Sequence, residues 1–173
     1  MEILDYIQKN ISNEVLDGIM RFITAFGNYA AIWILTAAVF VVSKKHRTVG
    51  IAILTALAAG YVIGNLIMKP LFARVRPNDV NAAIDLLIAR PTDHSFPSGH
   101  ALSSFAAATV IFCANKRLGV AALLLAAAIA FSRLYLYVHY LSDVLVGSII
   151  GVAIGVAAHF TVKHWVCKLR TQS

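Results

Sequence analysis

Residues 118–138 read LGVAALLLAAAIAFSRLYLYV, an apolar run interrupted by a single charge, Arg133. At about 1.5 Å of rise per residue, a helix of this length crosses a hydrocarbon core of about 30 Å. Working outward, residues 24–43, 48–68 and 144–162 have the same character, and residues 98–115 are slightly shorter and uncharged. Across all 173 residues the chain is 60% hydrophobic and 13% charged, with a mean hydropathy of +0.77. Soluble domains do not have that composition. The expected fold is an all-α integral membrane bundle of five to six helices, forming one domain over residues 1–173.

The N-terminus differs from the spans. Leu4, Ile7, Ile11, Val15, Ile19, Phe22, Ile23 and Phe26 recur at helical spacing, with Asp5, Lys9, Glu14, Asp17 and Arg21 between them. Residues 1–27 therefore read as two amphipathic pieces lying in the membrane interface. A cleavable signal peptide needs a basic start and an unbroken apolar core, and this stretch has neither.

The net charge of +7 is unevenly placed. Lys44, Lys45, Arg47, Lys116, Arg117, Lys163, Lys168 and Arg170 fall at alternate span ends with no acid among them, and all eight acids lie in the other set of segments. The purely basic side is expected to be cytoplasmic, which leaves the C-terminus there and the other side facing outward. This distribution accounts for the basic charge without a nucleic-acid partner. His46, His159 and His164 read as interfacial, and Cys113 and Cys167 as packing residues too far apart for a disulfide.

Most connections are short, but residues 70–97 form one long outward loop containing AAIDLLIA, apolar enough to lie on the membrane surface. Gly147, Gly151 and Gly155 make a small-residue stripe suited to close helix packing within the bundle.

Ionisable groups near spans mark function. Lys69, Arg76, His100, Arg133, His139 and Asp143 all fall at outward-facing span ends, so helix alternation alone brings them to one level. Three clustered cations, Lys69, Arg76 and Arg133, call for an anion, and guanidinium forks suit a tetrahedral oxyanion such as phosphate. Pro70 is expected to break the helical run between Lys69 and Arg76, while Arg74 and Arg90 read as snorkelling side chains. In PSGH, residues 97–100, Pro97 and the N-cap Ser98 start a helix, and Gly99 admits a ligand close to the backbone. Capping does not explain His100, a titratable ring where the anion would sit.

His139 and Asp143 are spaced i and i+4, on one face if a helix begins by His139. A carboxylate on one ring nitrogen leaves the other free as a nucleophile. Six residues of helix rotate a side chain by about 240°, so the span carrying Arg133 should end near Tyr137 or Val138. His94, His100, His139 and Asp143 carry ligand atoms, but they lack a metal-binding spacing and would share the site with three cations. No metal or other cofactor is expected.

Three stretches, KPLFARVRP (residues 69–77), PSGH (97–100) and SRLYLYVHYLSD (132–143), resemble the three-part signature of the type-2 phosphatidic acid phosphatase superfamily, in order and in spacing. The resemblance makes residues 69–143 the catalytic region. It implies that His139 attacks phosphorus to give a phosphohistidine, that Asp143 orients His139, and that His100 transfers the proton. It further implies that Lys69, Arg76, Ser98, Gly99 and Arg133 hold the phosphate oxygens. The expected substrate is a lipid phosphate or pyrophosphate arriving from the surrounding membrane lipids, with polyprenyl (undecaprenyl) pyrophosphate preferred. Phosphatidylglycerophosphate, phosphatidic acid and lipid A phosphates remain alternatives. The expected location is a bacterial plasma membrane, with the site on the extracytoplasmic face. A non-catalytic anionic-lipid transporter or binding protein would use the same cations but need neither histidine. A vanadate-dependent haloperoxidase would share the signature without the five spans. Oligomeric state has no signal in the sequence.

Overall fold

A computed structural model describes residues 1–171, apart from the side chain of Arg170, whose place in the basic set lies outside the described residues. The chain opens with α1 (Glu2–Asn10) and α2 (Glu14–Gly27), the latter started by Asn13, whose side chain accepts from Leu16 N. The second amphipathic piece does not stop where the first span was expected to begin. Thr24 lies inside α2, and a 3₁₀ turn at Asn28–Ala30 joins it to α3 (Ala31–Val42). Tyr29 and Ala30 take positive φ of 52° and 55°, which bends the run without ending it.

α4 (Arg47–Gly60) continues as a π-helical stretch, Tyr61–Met68, into α5 (Lys69–Phe72). The expected break at Pro70 is displaced to Ala73, where φ is 42°. The wider π turns precede Pro70, where the proline ring and missing N–H would strain an α-helical ladder, so the helix passes through Pro70. After the short α6 (Pro77–Val80), an irregular loop leads to α7 (Gly99–Ala114), capped by Ser98. The AAIDLLIA stretch folds back onto the bundle, where Leu86, Leu87 and Ile88 pack against the buried cluster that includes Ala101, Ala130, Leu134 and Val138. α8 (Lys116–Tyr135) is capped by Asn115, and α9 (Leu141–Thr171) closes the described chain. α8 ends two residues short of Tyr137, which carries a φ of 59°.

Among the described residues, four helical runs are long and apolar enough to cross a membrane: Glu14–Val42, Arg47–Val80, Lys116–Tyr135 and Leu141–Leu169; Gly99–Ala114 is shorter. The protein is an all-helical integral membrane bundle. α7 is its central post, packed against α4, α8 and α9. Close approach of α9 requires the glycine stripe, since a Cβ at Gly151 would lie 2.4 Å from Leu102 O and one at Gly155 2.5 Å from Ala106 O. The stripe thus serves packing inside the bundle. Small residues also fill the core, where Ala37, Ala52, Ala56, Ala106 and Ala107 share one buried cluster with Trp33. Trp33 Nε1 donates to Ser104 Oγ at 2.9 Å, which satisfies the indole without water.

The N-terminal helices clamp the α8–α9 turn. Leu4 and Ile7 are buried, Gln8 Nε2 donates to Tyr135 O at 2.6 Å, and Tyr135 Oη donates to Asp17 Oδ1 at 2.6 Å. Tyr137 Oη reaches Asp5 in the same way. Both cysteines are free, Cys113 half-buried and Cys167 exposed.

Candidate active site

Four helix ends and the returning loop meet around one cavity of about 820 Å³. Lys69, Arg76, Gly99, His100, Arg133 and His139 all line it, so the alternation of the helices gathers the groups that the sequence spreads over 71 positions.

His139 sits in the turn before α9, not on the helix. The i, i+4 relation to Asp143 holds, but through a different geometry from the one expected: Asp143 is in the first turn of α9 and folds back on the chain that enters it. Its Oδ2 accepts from Tyr140 N at 2.9 Å, the acidic half of a capping box. The same oxygen lies 3.5 Å from His139 Nδ1 and accepts from Ser95 Oγ at 2.5 Å. Oδ1 accepts from Arg74 Nη1 at 2.6 Å. Asp143 is therefore a fully buried carboxylate whose two oxygens are satisfied by a cation, a hydroxyl and a backbone amide. With Nδ1 turned to Asp143, His139 Nε2 faces Arg76 Nη1 at 3.3 Å and the cavity. Burial pulls the His139 pKa down, the charges of Arg76 and Arg133 add to this, and Asp143 opposes it. The result is about 3, so the ring is neutral at physiological pH.

Arg76 is held on several sides. Nη1 donates to Val138 O at 2.7 Å, Nε to Asp93 O at 2.8 Å and Nη2 to Asp93 Oδ1 at 2.7 Å. Lys69 Nζ pairs with the other oxygen of Asp93. Asp93 thus bridges two of the three cavity cations while its side chain stays half exposed. Burial opposes its ionisation, but Lys69 and Arg76 outweigh this and hold the carboxyl at about 2. Arg133 is the third cation. Its Nη1 donates to Thr24 Oγ1 at 2.6 Å, and its buried Nε has no partner among the described residues. A buried, unpaired guanidinium N–H beside a cavity is a donor awaiting an acceptor.

His100 stands across the cavity, its Nε2 3.1 Å from Asn28 Oδ1. A Cβ on Gly27 would approach His100 Cδ2 to 2.4 Å, so the glycine before the kink makes room for the ring. Gly99 lies open to the cavity, with Asn65 Oδ1 3.4 Å and Lys69 Nζ 4.0 Å from where its Cβ would be. The first N–H groups of α7 have no intrahelical partner and carry the positive end of its dipole.

Ser98 caps α7 as expected. It is fully buried outside the cavity lining, its Oγ accepts from Ala101 N at 3.5 Å and its N donates to Asp143 O at 3.1 Å. Its place in the structure is as a cap that ties α7 to α9. His94 has an exposed side chain in the loop. Arg74 turns inward onto Asp143 instead of snorkelling. Four further groups escaped sequence reasoning: Asp93, Ser95, Thr24 and Asn28. The available signal for Asp93 was charge balance, an acid in the loop opposite three cations; Ser95, Thr24 and Asn28 carried none.

The family described as the PAP2 superfamily matches residues 49–166. An undecaprenyl-diphosphatase of Sulfolobus acidocaldarius is 34% identical over 138 residues, covering 79% of this chain and 66% of that protein. Undecaprenyl-diphosphatase BcrC of Bacillus subtilis is 33% identical over 144 residues, covering 83% of this chain and 73% of that protein. The crystal structure of Aquifex aeolicus LpxE superposes with a TM-score of 0.76 at 24% identity, covering 91% of this chain and 92% of that one, which shows a shared fold.

Proposed function

The chain belongs to the PAP2 superfamily, and from that membership we propose that it is a membrane lipid phosphatase that works through a phosphohistidine. One observation carries the reading: a neutral histidine backed by a buried carboxylate faces a cavity ringed by Lys69, Arg76 and Arg133. Cations without chemistry would not need that pair.

Substrate phosphate displaces Asp93 from Lys69 and Arg76 and takes up the free Nε of Arg133 and the Gly99 N–H. The lone pair of His139 Nε2 then attacks phosphorus, and the bond from phosphorus to the leaving oxygen breaks. His100 gives that oxygen its proton. Asp143 accepts from His139 Nδ1–H and balances the positive charge that grows on the ring. Water next attacks the phosphohistidine, His100 takes back a proton, and inorganic phosphate leaves. The cations hold the equatorial oxygens, where charge is carried in the transition state.

The rest of the cavity lining supports a lipid substrate. Ile34, Leu54, Leu57 and Ala58 of α3 and α4 line the same cavity as the cations, so a phosphate bound there has apolar surroundings for a tail. Polyprenyl pyrophosphate is the preferred substrate, in keeping with the undecaprenyl-diphosphatase names of the Sulfolobus and Bacillus relatives. The basic links at the opposite end of the bundle support an extracytoplasmic site and a cytoplasmic C-terminus. Phosphate release by the purified protein from undecaprenyl pyrophosphate, phosphatidylglycerophosphate, phosphatidic acid and lipid A tests the substrate. Fastest release from the polyprenyl compound is expected, and its absence there with release from another lipid would overturn the preference.

A further inference from the structure

Arg74 lies between Lys69 and Arg76 but has no position in the phosphate cavity. The left-handed turn at Ala73 reverses the chain, and Arg74 O accepts from Ser95 N at 2.9 Å, fixing these two residues side by side. Both then reach the same carboxylate, Ser95 at Asp143 Oδ2 and Arg74 at Oδ1. Arg74 Nη1 also donates to Ser142 Oγ at 2.7 Å, and its guanidinium stacks 4.0 Å from the centre of the Tyr140 ring. Its side chain is 37% exposed whereas Asp143 is fully buried. Among the described residues Arg74 is thus the one lysine or arginine in direct contact with Asp143, and it reaches the carboxylate from outside the cavity lining.

The distances show why this matters. The Asp143–His139 contact is 3.5 Å, longer than the 2.6 Å contact to Arg74. Asp143 is held where it is by Arg74, Ser95 and Tyr140 N, and His139 is the looser partner. We infer that Arg74 is a positioning residue for the His139–Asp143 pair: it fixes the carboxylate against His139 and restrains the basicity of the ring. This rests on the proposed phosphohistidine chemistry and adds to it a residue that lies within the first signature stretch but to which the resemblance gives no role.

Arg76 and Arg133 act on His139 from the cavity side, with Lys69 and His100 beyond them. Tyr140 and the Asp79–Arg90 pair lie on the Arg74 side. The cavity groups are unchanged by substitution of Arg74. Removing its charge leaves Asp143 a stronger acceptor, so His139 binds a proton more readily.

The test compares wild-type, Arg74→Gln and Arg74→Lys in the full-length protein in detergent, with undecaprenyl pyrophosphate as substrate. For Arg74→Gln, kcat should fall on the order of tenfold to a hundredfold, the loss expected for a charged hydrogen bond. KM should stay within roughly threefold, since no substrate contact is removed. The acid limb of kcat/KM, where His139 must be neutral, should move to higher pH. Arg74→Lys should recover most of kcat and return the limb toward wild type. Wild-type kcat and an unmoved limb in Arg74→Gln would overturn the inference. So would a loss matching the fraction of unfolded protein with the limb unmoved. The His139 ring followed by nitrogen-15 NMR in substrate-free protein reads the same rise without turnover. A wild-type protein inactive on every lipid phosphate would overturn the function, and that NMR titration would still decide Arg74: a rise in Arg74→Gln supports it, and no rise refutes it.

Discussion

Asp93 is a carboxylate placed where a phosphate oxygen would be, bridging Lys69 and Arg76. Its half-exposed side chain sits on an irregular loop, so it can leave without disturbing a helix. Asp93→Asn removes the competing charge, and KM for lipid substrate and the inhibition constant for inorganic phosphate should both fall severalfold. Kinetics with an unchanged or raised KM would show that Asp93 helps bind substrate instead. His139 makes a second prediction. Its pKa of about 3 in the fold lies below the ordinary histidine value of about 6.5. The unfolded chain therefore binds a proton that the folded one refuses, and the folded state loses stability as pH falls from about 6.5 through about 3. Melting midpoints measured over that range should fall less steeply in His139→Gln; parallel curves would contradict the assignment.

The helices show where hydropathy is sufficient and where it is not. The expected spans match α3, α4, α7, α8 and α9 because lipid-facing helices must be apolar along their length. The helix ends were harder to read. The break expected at Pro70 came at Ala73, since π turns accommodate the proline, and the helix carrying Asp143 starts after His139 because Asp143 itself caps it. The roles of Arg74, Ser95 and Asp93 were illegible for another reason: periodicity places residues on a helix face, and the irregular connections over residues 73–76 and 81–96 have none. The N-terminal helices were legible as amphipathic, but not as a clamp on the turn that carries His139. That clamp is testable. Tyr135→Phe loses the bonds with Asp17 and Asn13 and should lower stability by about 1–3 kcal/mol. It should also lower kcat by loosening the turn; a melting curve and kcat identical to wild type would show that α1 and α2 are passengers.

The complete bundle combines two requirements that oppose each other. A membrane interior penalises charge, yet phosphate chemistry needs cations, a carboxylate and two histidines together. The fold meets both by confining these groups to one end, where the helix termini, their free N–H groups and the returning loop enclose them. Lys69, Arg76, Arg133, His100 and His139 could be assigned to that end from helix alternation, and the three-part signature resolved which of them belonged together. The central claim is that His139 carries the phosphoryl group. Undecaprenyl pyrophosphate labelled in its terminal phosphate, quenched during turnover and mapped by peptide, tests it most directly. The account predicts an acid-labile label on His139 that disappears, together with turnover, in His139→Ala while lipid binding persists. Label on another residue, or turnover that survives His139→Ala, would contradict it.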